Sequence, residues 1–136
     1  MSQTRVHGYV GCAQTTLNKV GRTPIPAAWL PRVQAQSPAE DRSLVLGLSP
    51  DPLRPPHLLL MAPEDVAEAL ETLERQPGDV LSRSLWRRFN RHAVQITRDG
   101  SDRIVIPQHL RSAIELEPGP LSWLGERNKL LSLIHI

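Results

Sequence analysis

The chain has 136 residues, a net charge of +2 and 40% hydrophobic residues, which suits one domain or two small halves that share a core. No apolar run approaches the roughly 20 residues that a membrane-spanning helix needs, and the N-terminal residues lack the charged-then-apolar pattern of a signal peptide, so secretion is not expected. The single cysteine, Cys12, excludes an intramolecular disulfide and is interpreted as a half-buried thiol.

Charge is distributed unevenly along the chain. Residues 64–79 carry six acidic residues against Arg75 alone, whereas residues 83–111 carry seven arginines against two aspartates. This asymmetry permits an anionic partner such as nucleic acid on one side of the molecule. A solvated basic face explains the same pattern, so charge alone leaves both interpretations open.

Two segments of the chain share one sequence pattern. Residues 13–26 (AQTTLNKVGRTPIP) align with residues 94–107 (VQITRDGSDRIVIP) at a constant offset of 81. The identical pairs are Gln14/Gln95, Thr16/Thr97, Arg22/Arg103, Ile25/Ile106 and Pro26/Pro107. We interpret the two segments as copies of a diverged internal duplication.

Each copy has the pattern of a strand, a tight loop, a second strand and the start of a helix. In the second copy, alternation over residues 94–98 predicts a half-buried strand. Asp99 and Gly100 provide turn chemistry, and the β-branched residues 103–106 predict the returning strand. Pro107 suits the first position of a helix. The sequence therefore predicts, twice, a hairpin with an arginine just beyond its turn.

The remaining predicted elements follow the same order in both copies. Before the first hairpin, Val6, Tyr9 and Val10 are candidate strand positions. The predicted elements after it are a brief helix at 27–33, a loop at 34–42, a strand at 43–48, a stiff proline-rich loop at 49–56 and a strand at 57–61. The strands at 43–48 and 57–61 are expected to form a second, wider hairpin. The segments 120–124 and 130–134 repeat that hairpin after the second copy.

Two helices are predicted between the copies. The first opens at Pro63 with acidic residues that suit the helix dipole, and it ends near Pro77. Asp79 is a candidate N-cap for the second helix, which is expected to bury Leu81, Leu85 and Phe89. On another face this helix carries Arg83, Arg87 and Arg91 at four-residue spacing. That stripe is interpreted as a solvated face, with a subunit contact to an acidic helix or a phosphate contact as the alternatives.

Motifs that would indicate catalysis or metal binding do not occur in the sequence. The five histidines lie apart from carboxylates and cysteines at ligand spacing, and neither a phosphate-binding glycine loop nor a nucleophile elbow occurs. We therefore predict a protein that is not an enzyme and that uses no metal, cofactor or small-molecule substrate. The three tryptophans are interpreted as packing residues rather than as a base-stacking platform.

The duplicated layout over residues 8–134 resembles MraZ, a family of bacterial regulators of the division and cell-wall gene cluster within the AbrB-like swapped-hairpin group. That family carries an Asp-x-Lys-Gly-Arg loop, an apolar strand and Ile-Pro or Val-Pro, twice, with a helical pair between. Here the loops read Asn18-Lys19-Val20-Gly21-Arg22 and Asp99-Gly100-Ser101-Asp102-Arg103.

The resemblance implies an α+β fold, a duplicated swapped-hairpin β-barrel with a central helical pair. It divides one pseudo-symmetric domain into a first half (1–62), a connecting helical pair (63–92) and a second half (93–136). It further implies a cytoplasmic, nucleoid-associated protein that forms a ring of identical subunits, does not associate with membranes and binds short repeats in double-stranded promoter DNA.

The same resemblance implies that the loops contact DNA, with Arg22 and Lys19 as the first candidates, Arg103 as a second, and Asn18 beside them. A hairpin loop can place such cations against phosphates or guanine edges, and a ring repeats that contact.

Three substitutions depart from the family pattern. Asn18 removes a carboxylate, Val20 occupies a lysine position, and Asp102 replaces a glycine and adds negative charge. The second loop is therefore also compatible with a structural role in which Asp99 and Arg103 bond to each other. The alternative function is an oligomeric protein-interaction module on the same scaffold with degenerate DNA-binding loops.

Overall fold

The computed structural model describes residues 11–36, 42–49, 56–75, 80–126 and 130–135. Within these ranges the chain is a mixed α+β protein built from antiparallel strands and short helices, which confirms the predicted fold class at that level. The candidate strand positions Val6, Tyr9 and Val10, the predicted helix stop at Pro77 and the candidate cap Asp79 lie outside the described residues.

The elements follow the predicted order. The first four strands and the helical turns among them are β1 (Cys12–Leu17), β2 (Arg22–Pro24), a 3₁₀ turn (Ala27–Trp29), α1 (Leu30–Gln36), β3 (Ser43–Leu48) and β4 (Leu58–Met61). The two connecting helices are α2 (Pro63–Glu74) and α3 (Val80–His92). The last elements are β5 (Val94–Thr97), β6 (Arg103–Val105), α4 (Gln108–Ala113), β7 (Gly119–Glu126) and β8 (Leu130–His135).

The predicted hairpins differ from the structure in one respect: their two strands do not form a ladder with each other. A six-stranded antiparallel sheet has the order β1-β7-β8-β4-β3-β5, and β2 pairs only with β6 in a separate two-stranded ribbon. Each leading strand therefore pairs with the third strand of the other copy, β1 with β7 and β5 with β3. Local sequence alternation predicts a strand but not its partner, because the pairing here joins residues far apart in the chain.

The registers follow a single pseudo-twofold axis. In the ribbon, Thr23 lies opposite Ile104, and these are equivalent residues at the offset of 81. Exchange of the two copies converts the Arg22–Val105 pair into the Pro24–Arg103 pair. The same exchange turns the strand order of the large sheet into its own reverse, so the sheet shares the pseudo-twofold symmetry. The aligned residues Thr16 and Thr97 are both exposed strand positions, as a repeated unit requires.

The large sheet is not a closed barrel, which corrects that part of the expectation. Among the described strands, the outer strands β1 and β5 each have a partner on one side only and are not hydrogen-bonded to each other. The ribbon lies beside these two strands, since β2 contacts β1 and β6 contacts β5. Closure by hydrogen bonds is replaced by packing, because Leu17, Ile104 and Trp123 belong to one buried cluster between the sheet and the ribbon.

A short polar chain also connects the sheet with the ribbon. The indole Nε1 of Trp123 on β7 donates to Oγ1 of Thr15 on β1 at 2.8 Å, and Thr15 Oγ1 lies 2.7 Å from the buried Thr23 Oγ1 on β2. The pseudo-equivalent positions, read from the strand registers, hold only apolar residues, namely Leu46, Ile96 and Ile104. The polar groups are buried but hydrogen-bonded, as an interior requires.

The helical pair packs against β3 and β4. Pro63 occupies the start of α2, and Glu64 and Asp65 lie in its first turn. Phe89 is buried in a second apolar cluster with Leu59 and Met61, and Trp86 meets it edge-on with ring centroids 5.3 Å apart. The predicted burial of Leu81 is wrong: this residue is 65% exposed, because only the α3 positions near Phe89 reach the sheet. No helix in the described ranges combines the length and hydrophobicity needed to cross a membrane.

Gly47 on β3 lies in close contact with Phe89 of α3. A Cβ atom there would lie 2.8 Å from Cε1 of Phe89 and 3.0 Å from Cβ of Ala93. We expect Gly47→Ala to lower the free energy of unfolding by about 1–3 kcal/mol through overpacking. Urea denaturation measures the effect.

The clash at Gly47 should diminish when the opposing ring is smaller. In the Phe89→Leu background the same Gly47→Ala change should cost clearly less, since a double-mutant cycle isolates the shared contact. Equal costs in both backgrounds would contradict this account.

Candidate nucleic-acid interface

The first candidate loop, between β1 and β2, is held in shape by hydrogen bonds to an asparagine side chain. Oδ1 of Asn18 accepts hydrogen bonds from the backbone N–H of Val20 at 3.1 Å and of Arg22 at 2.9 Å. The backbone N–H of Asn18 donates to the carbonyl of Arg22 at 2.9 Å, and that of Gly21 donates to the Asn18 carbonyl at 3.1 Å. Asn18 therefore holds the turn that presents Lys19 and Val20 to solvent.

The second candidate loop, between β5 and β6, repeats this geometry bond for bond. Oδ1 of Asp99 accepts from the N–H of Ser101 at 2.8 Å and of Arg103 at 3.0 Å. The Asp99 N–H donates to the Arg103 carbonyl at 2.9 Å, and the Asp102 N–H donates to the Asp99 carbonyl at 3.0 Å. One side-chain oxygen suffices for this turn, so an asparagine and an aspartate serve equally well.

The two loops differ in the second atom of that side chain. Oδ2 of Asp99 accepts from Nε of Arg103 at 3.0 Å, which is the expected bond between these residues. In Asn18 the corresponding atom is an amide nitrogen, which donates and cannot accept. Nε of Arg22 is buried and has no hydrogen-bond partner among the described residues. The first arginine is thus held by the ribbon without an ion pair to its own loop.

The left-handed position of each loop is stabilised in a different way. Gly21 has a φ of +86°, and the equivalent Asp102 has a φ of +56°. Aspartate tolerates this conformation better than most residues. In addition, its side chain forms an ion pair with the buried Arg98 and accepts from Nε2 of Gln34 at 3.3 Å. The second loop is therefore bonded to Arg98, which follows β5, and to Gln34 of α1.

Each loop is also hydrogen-bonded to the opposite copy. The N–H of Ile106 donates to the carbonyl of Gly21 at 2.7 Å, and the N–H of Ile25 donates to the carbonyl of Asp102 at 3.1 Å. These two bonds are related by the pseudo-twofold. Consequently neither loop is a freely hinged hairpin tip, and both keep a fixed position relative to the ribbon.

The ribbon presents its arginines on one face. Thr23 and Ile104, the central pair, are buried, whereas Pro24, Arg103 and Val105 are exposed and Arg22 is half-buried. Alternation along a strand therefore places Arg22 and Arg103 on the same outward face. They are diagonal neighbours in the ladder, and such positions are about 7–8 Å apart.

The two loops carry opposite net charge. Residues 18–22 contain Lys19 and Arg22 and no acid, a net charge of +2, whereas residues 99–103 contain two aspartates and Arg103, a net charge of −1. Arg42 approaches the second loop as well, with one guanidinium N–H donated to the carbonyl of Asp99 at 2.8 Å. The first loop is therefore the more favourable place for an anion.

The structure gives the four predicted site residues separate roles. Arg22 and Arg103 share the outward face of the ribbon, Lys19 lies exposed at the first bend, and Asn18 forms the turn. Sequence reasoning missed the bonds of Arg98, Gln34 and Arg42 to the second loop. The burial of Arg98 could have been predicted from the sequence, because the alternation along this strand predicts an inward side chain at that position.

No protein-family model matches the chain, and no curated protein matches it. Among the described residues no group of three or more histidine, cysteine, aspartate or glutamate side chains is arranged to hold a metal ion.

Gly21 is required by both conformation and space. A Cβ atom there would lie 2.7 Å from Nε of Arg111 and 2.8 Å from the carbonyl oxygen of Ile106. We expect Gly21→Ala to lower the free energy of unfolding by roughly 2–5 kcal/mol, the sum of left-handed strain and overpacking. Gly11→Ala is the matched control, because Gly11 has a φ of +88° but no atom within 4 Å of the added Cβ. Thermal unfolding of both variants separates the two costs, and equal losses would exclude the steric contribution.

Acid should weaken the second loop. The N–H of Arg103 lowers the pKa of Asp99 below its usual range, and the Ser101 N–H and the Arg103 charge act in the same direction. A folded-state pKa below the unfolded value stabilises the fold above the unfolded pKa, about 3.9, and this contribution disappears as the pH falls through the folded value.

The Asp99→Asn variant removes this titration and keeps the turn, as Asn18 does in the first loop. As the pH falls below about 4.5, the urea midpoint of this variant should therefore decrease less than that of the native chain. Urea midpoints measured from about pH 7 to pH 3 provide the comparison. Parallel curves for the two proteins would show that Asp99 contributes no pH-dependent stability.

Proposed function

We propose that the chain is a sequence-specific DNA-binding transcriptional regulator of the MraZ type. It binds short repeats in the promoter of a division and cell-wall gene cluster, and it does so as a ring of identical subunits with the swapped-hairpin fold. The observation that carries the proposal is the outward face of the β2–β6 ribbon, where Arg22 and Arg103 lie on one side between two fixed loops.

The shape of this face suits double-stranded DNA. A two-stranded antiparallel ribbon fits the width of the major groove, and arginine can donate two hydrogen bonds to one guanine edge. Lys19, exposed at the first bend, is placed to contact a phosphate beside the groove. The loops are bonded to the opposite copy, so little backbone conformational entropy is lost when they bind.

The affinity of one such face is small, because it offers only three cationic side chains. Repetition of the face around a ring of subunits raises the effective concentration of each further contact, so a set of weak contacts gives stable binding to repeated sites. This is the physical reason to combine the proposed DNA contact with the proposed oligomer.

A second candidate is an oligomeric protein-interaction module on the same scaffold. It is favoured by the second loop, in which Asp99 binds Arg103 and Asp102 binds Arg98. There the acidic side chains offset the arginines that DNA would need. On this alternative the ribbon face would have no affinity for DNA at low salt.

Electrophoretic mobility shift with the promoter DNA of the chain's own operon tests the proposal. We expect Arg22→Ala to weaken binding more than Arg103→Ala, because Asp99 already neutralises much of the Arg103 charge. A lost base contact costs about 1–3 kcal/mol, and a lost phosphate contact reduces the salt slope of log K by about 0.9 for each subunit that makes it.

Arg88→Ala is the control for net charge, since Arg88 is an exposed arginine of α3 and belongs to neither loop. It should leave the shift unchanged. Sedimentation of the DNA-free protein tests the ring. A monomer in solution contradicts the ring, and the absence of a shift at low salt at every protein concentration favours the interaction module.

A further inference from the structure

The two connecting helices enclose a groove that the proposed DNA contact does not use. Its volume is about 390 Å³, within the range of about 300–1,000 Å³ that is typical of small-molecule sites. The half-buried side chains of Leu70 and Leu73 from α2 line one part of it. The groove therefore presents a partly exposed apolar surface.

The opposite part of the groove is cationic. Arg83, Arg87 and Arg91 of α3 line it, spaced by one helical turn so that they extend over about 12 Å. None of the three forms a hydrogen bond or ion pair with a residue that the structure describes. Glu74 also lines the groove but pairs with none of them, which leaves a net charge of +2.

Two macromolecular occupants fit this combination poorly. A DNA backbone matches the arginines but has no apolar group for the leucine surface. The acidic side of α2 in a second copy of the chain also matches the arginines, yet the exposed residues of α2 include no large apolar side chain; they are Glu64, Ala67, Glu68, Glu71, Thr72 and Glu74. An occupant that satisfies both parts needs a negative group attached directly to an apolar body.

We propose that the groove between α2 and α3 binds a small amphipathic anion, an aliphatic or aromatic carboxylate, sulfonate or phosphate ester. The anionic group lies against the guanidinium groups of Arg83, Arg87 and Arg91, which can donate paired hydrogen bonds to it, with the amide of Asn90 beside them. The apolar body covers Leu70 and Leu73. This site is independent of the proposed DNA-binding function.

The probe is 8-anilinonaphthalene-1-sulfonate, an aromatic sulfonate whose fluorescence rises in apolar surroundings. We expect saturable binding to the native full-length chain. Arg87→Gln should weaken it several-fold, whereas Arg88→Gln, which removes the same charge from the next residue of the same helix but outside the groove, should not. Glu74→Gln should tighten it, because it removes the negative charge that faces the ligand.

Competition identifies the chemistry of the ligand. Straight-chain carboxylates from acetate to decanoate should displace the probe with affinities that rise about threefold to fourfold for each methylene until the leucine surface is covered. Displacement by acetate or inorganic phosphate as effective as by decanoate would overturn the proposal in favour of a simple anion site. Equal effects of Arg87→Gln and Arg88→Gln would overturn it as well, as would a signal that follows subunit association in sedimentation.

Discussion

The ladder between β2 and β6 is the constraint on which the rest of the molecule depends. These strands are only three residues each, and neither pairs with the strand that precedes it in the chain. Their antiparallel register brings Thr23 opposite Ile104 and fixes the pseudo-twofold axis. Two further hydrogen bonds extend the pairing between the copies to the loops, from Ile106 N–H to the Gly21 carbonyl and from Ile25 N–H to the Asp102 carbonyl. Because every one of these bonds joins one copy to the other, neither copy completes its own hydrogen bonding alone.

This exchange explains how the loops can differ chemically and still have the same shape. The turn itself needs one side-chain oxygen and one left-handed residue, which Asn18 and Gly21 supply in the first loop and Asp99 and Asp102 in the second. The other residues of the two loops differ. In the second loop the extra carboxylate oxygens bind arginines, Asp99 the half-exposed Arg103 and Asp102 the buried Arg98. In the first loop no carboxylate is present, and neither Lys19 nor Arg22 forms an ion pair with a described residue.

The order of the elements could be predicted from the sequence, but not their partners. Alternation over residues 94–98 and the turn chemistry at Asp99 and Gly100 are local properties, and they identified two strands and a bend correctly. Pairing of β2 with β6 instead of β1 depends on contacts between residues about 80 positions apart, which local pattern does not contain. The open edge of the sheet has the same origin, since closure depends on whether β1 and β5 meet across the whole domain. Leu81 shows a third limit: helical periodicity predicts a face, whereas the length over which that face meets the sheet is set by tertiary packing.

The candidate site could be predicted in part for the same reasons. Repetition of Arg22 and Arg103 at equal places in the two copies identified both arginines, and strand alternation places them on one face. What distinguishes them is the ion pair between Asp99 and Arg103 within the second loop. Two contacts from outside the loop motif hold that loop further, the ion pair of Arg98 with Asp102 and the hydrogen bond from Gln34 to Asp102. An arginine that is 3% exposed and bound to Asp102 belongs to the interior, because a buried charge is tolerated only with a partner of opposite sign. Charge counted along the sequence thus overstates what the surface offers to an anion: part of the basic segment 83–111 is neutralised within the fold. Neither the arginine of the first loop nor those of the α2–α3 groove form an ion pair with a described residue, but only the groove adds an apolar surface. This difference is the reason for proposing nucleic acid as the partner of the first place and an amphipathic anion as the ligand of the second.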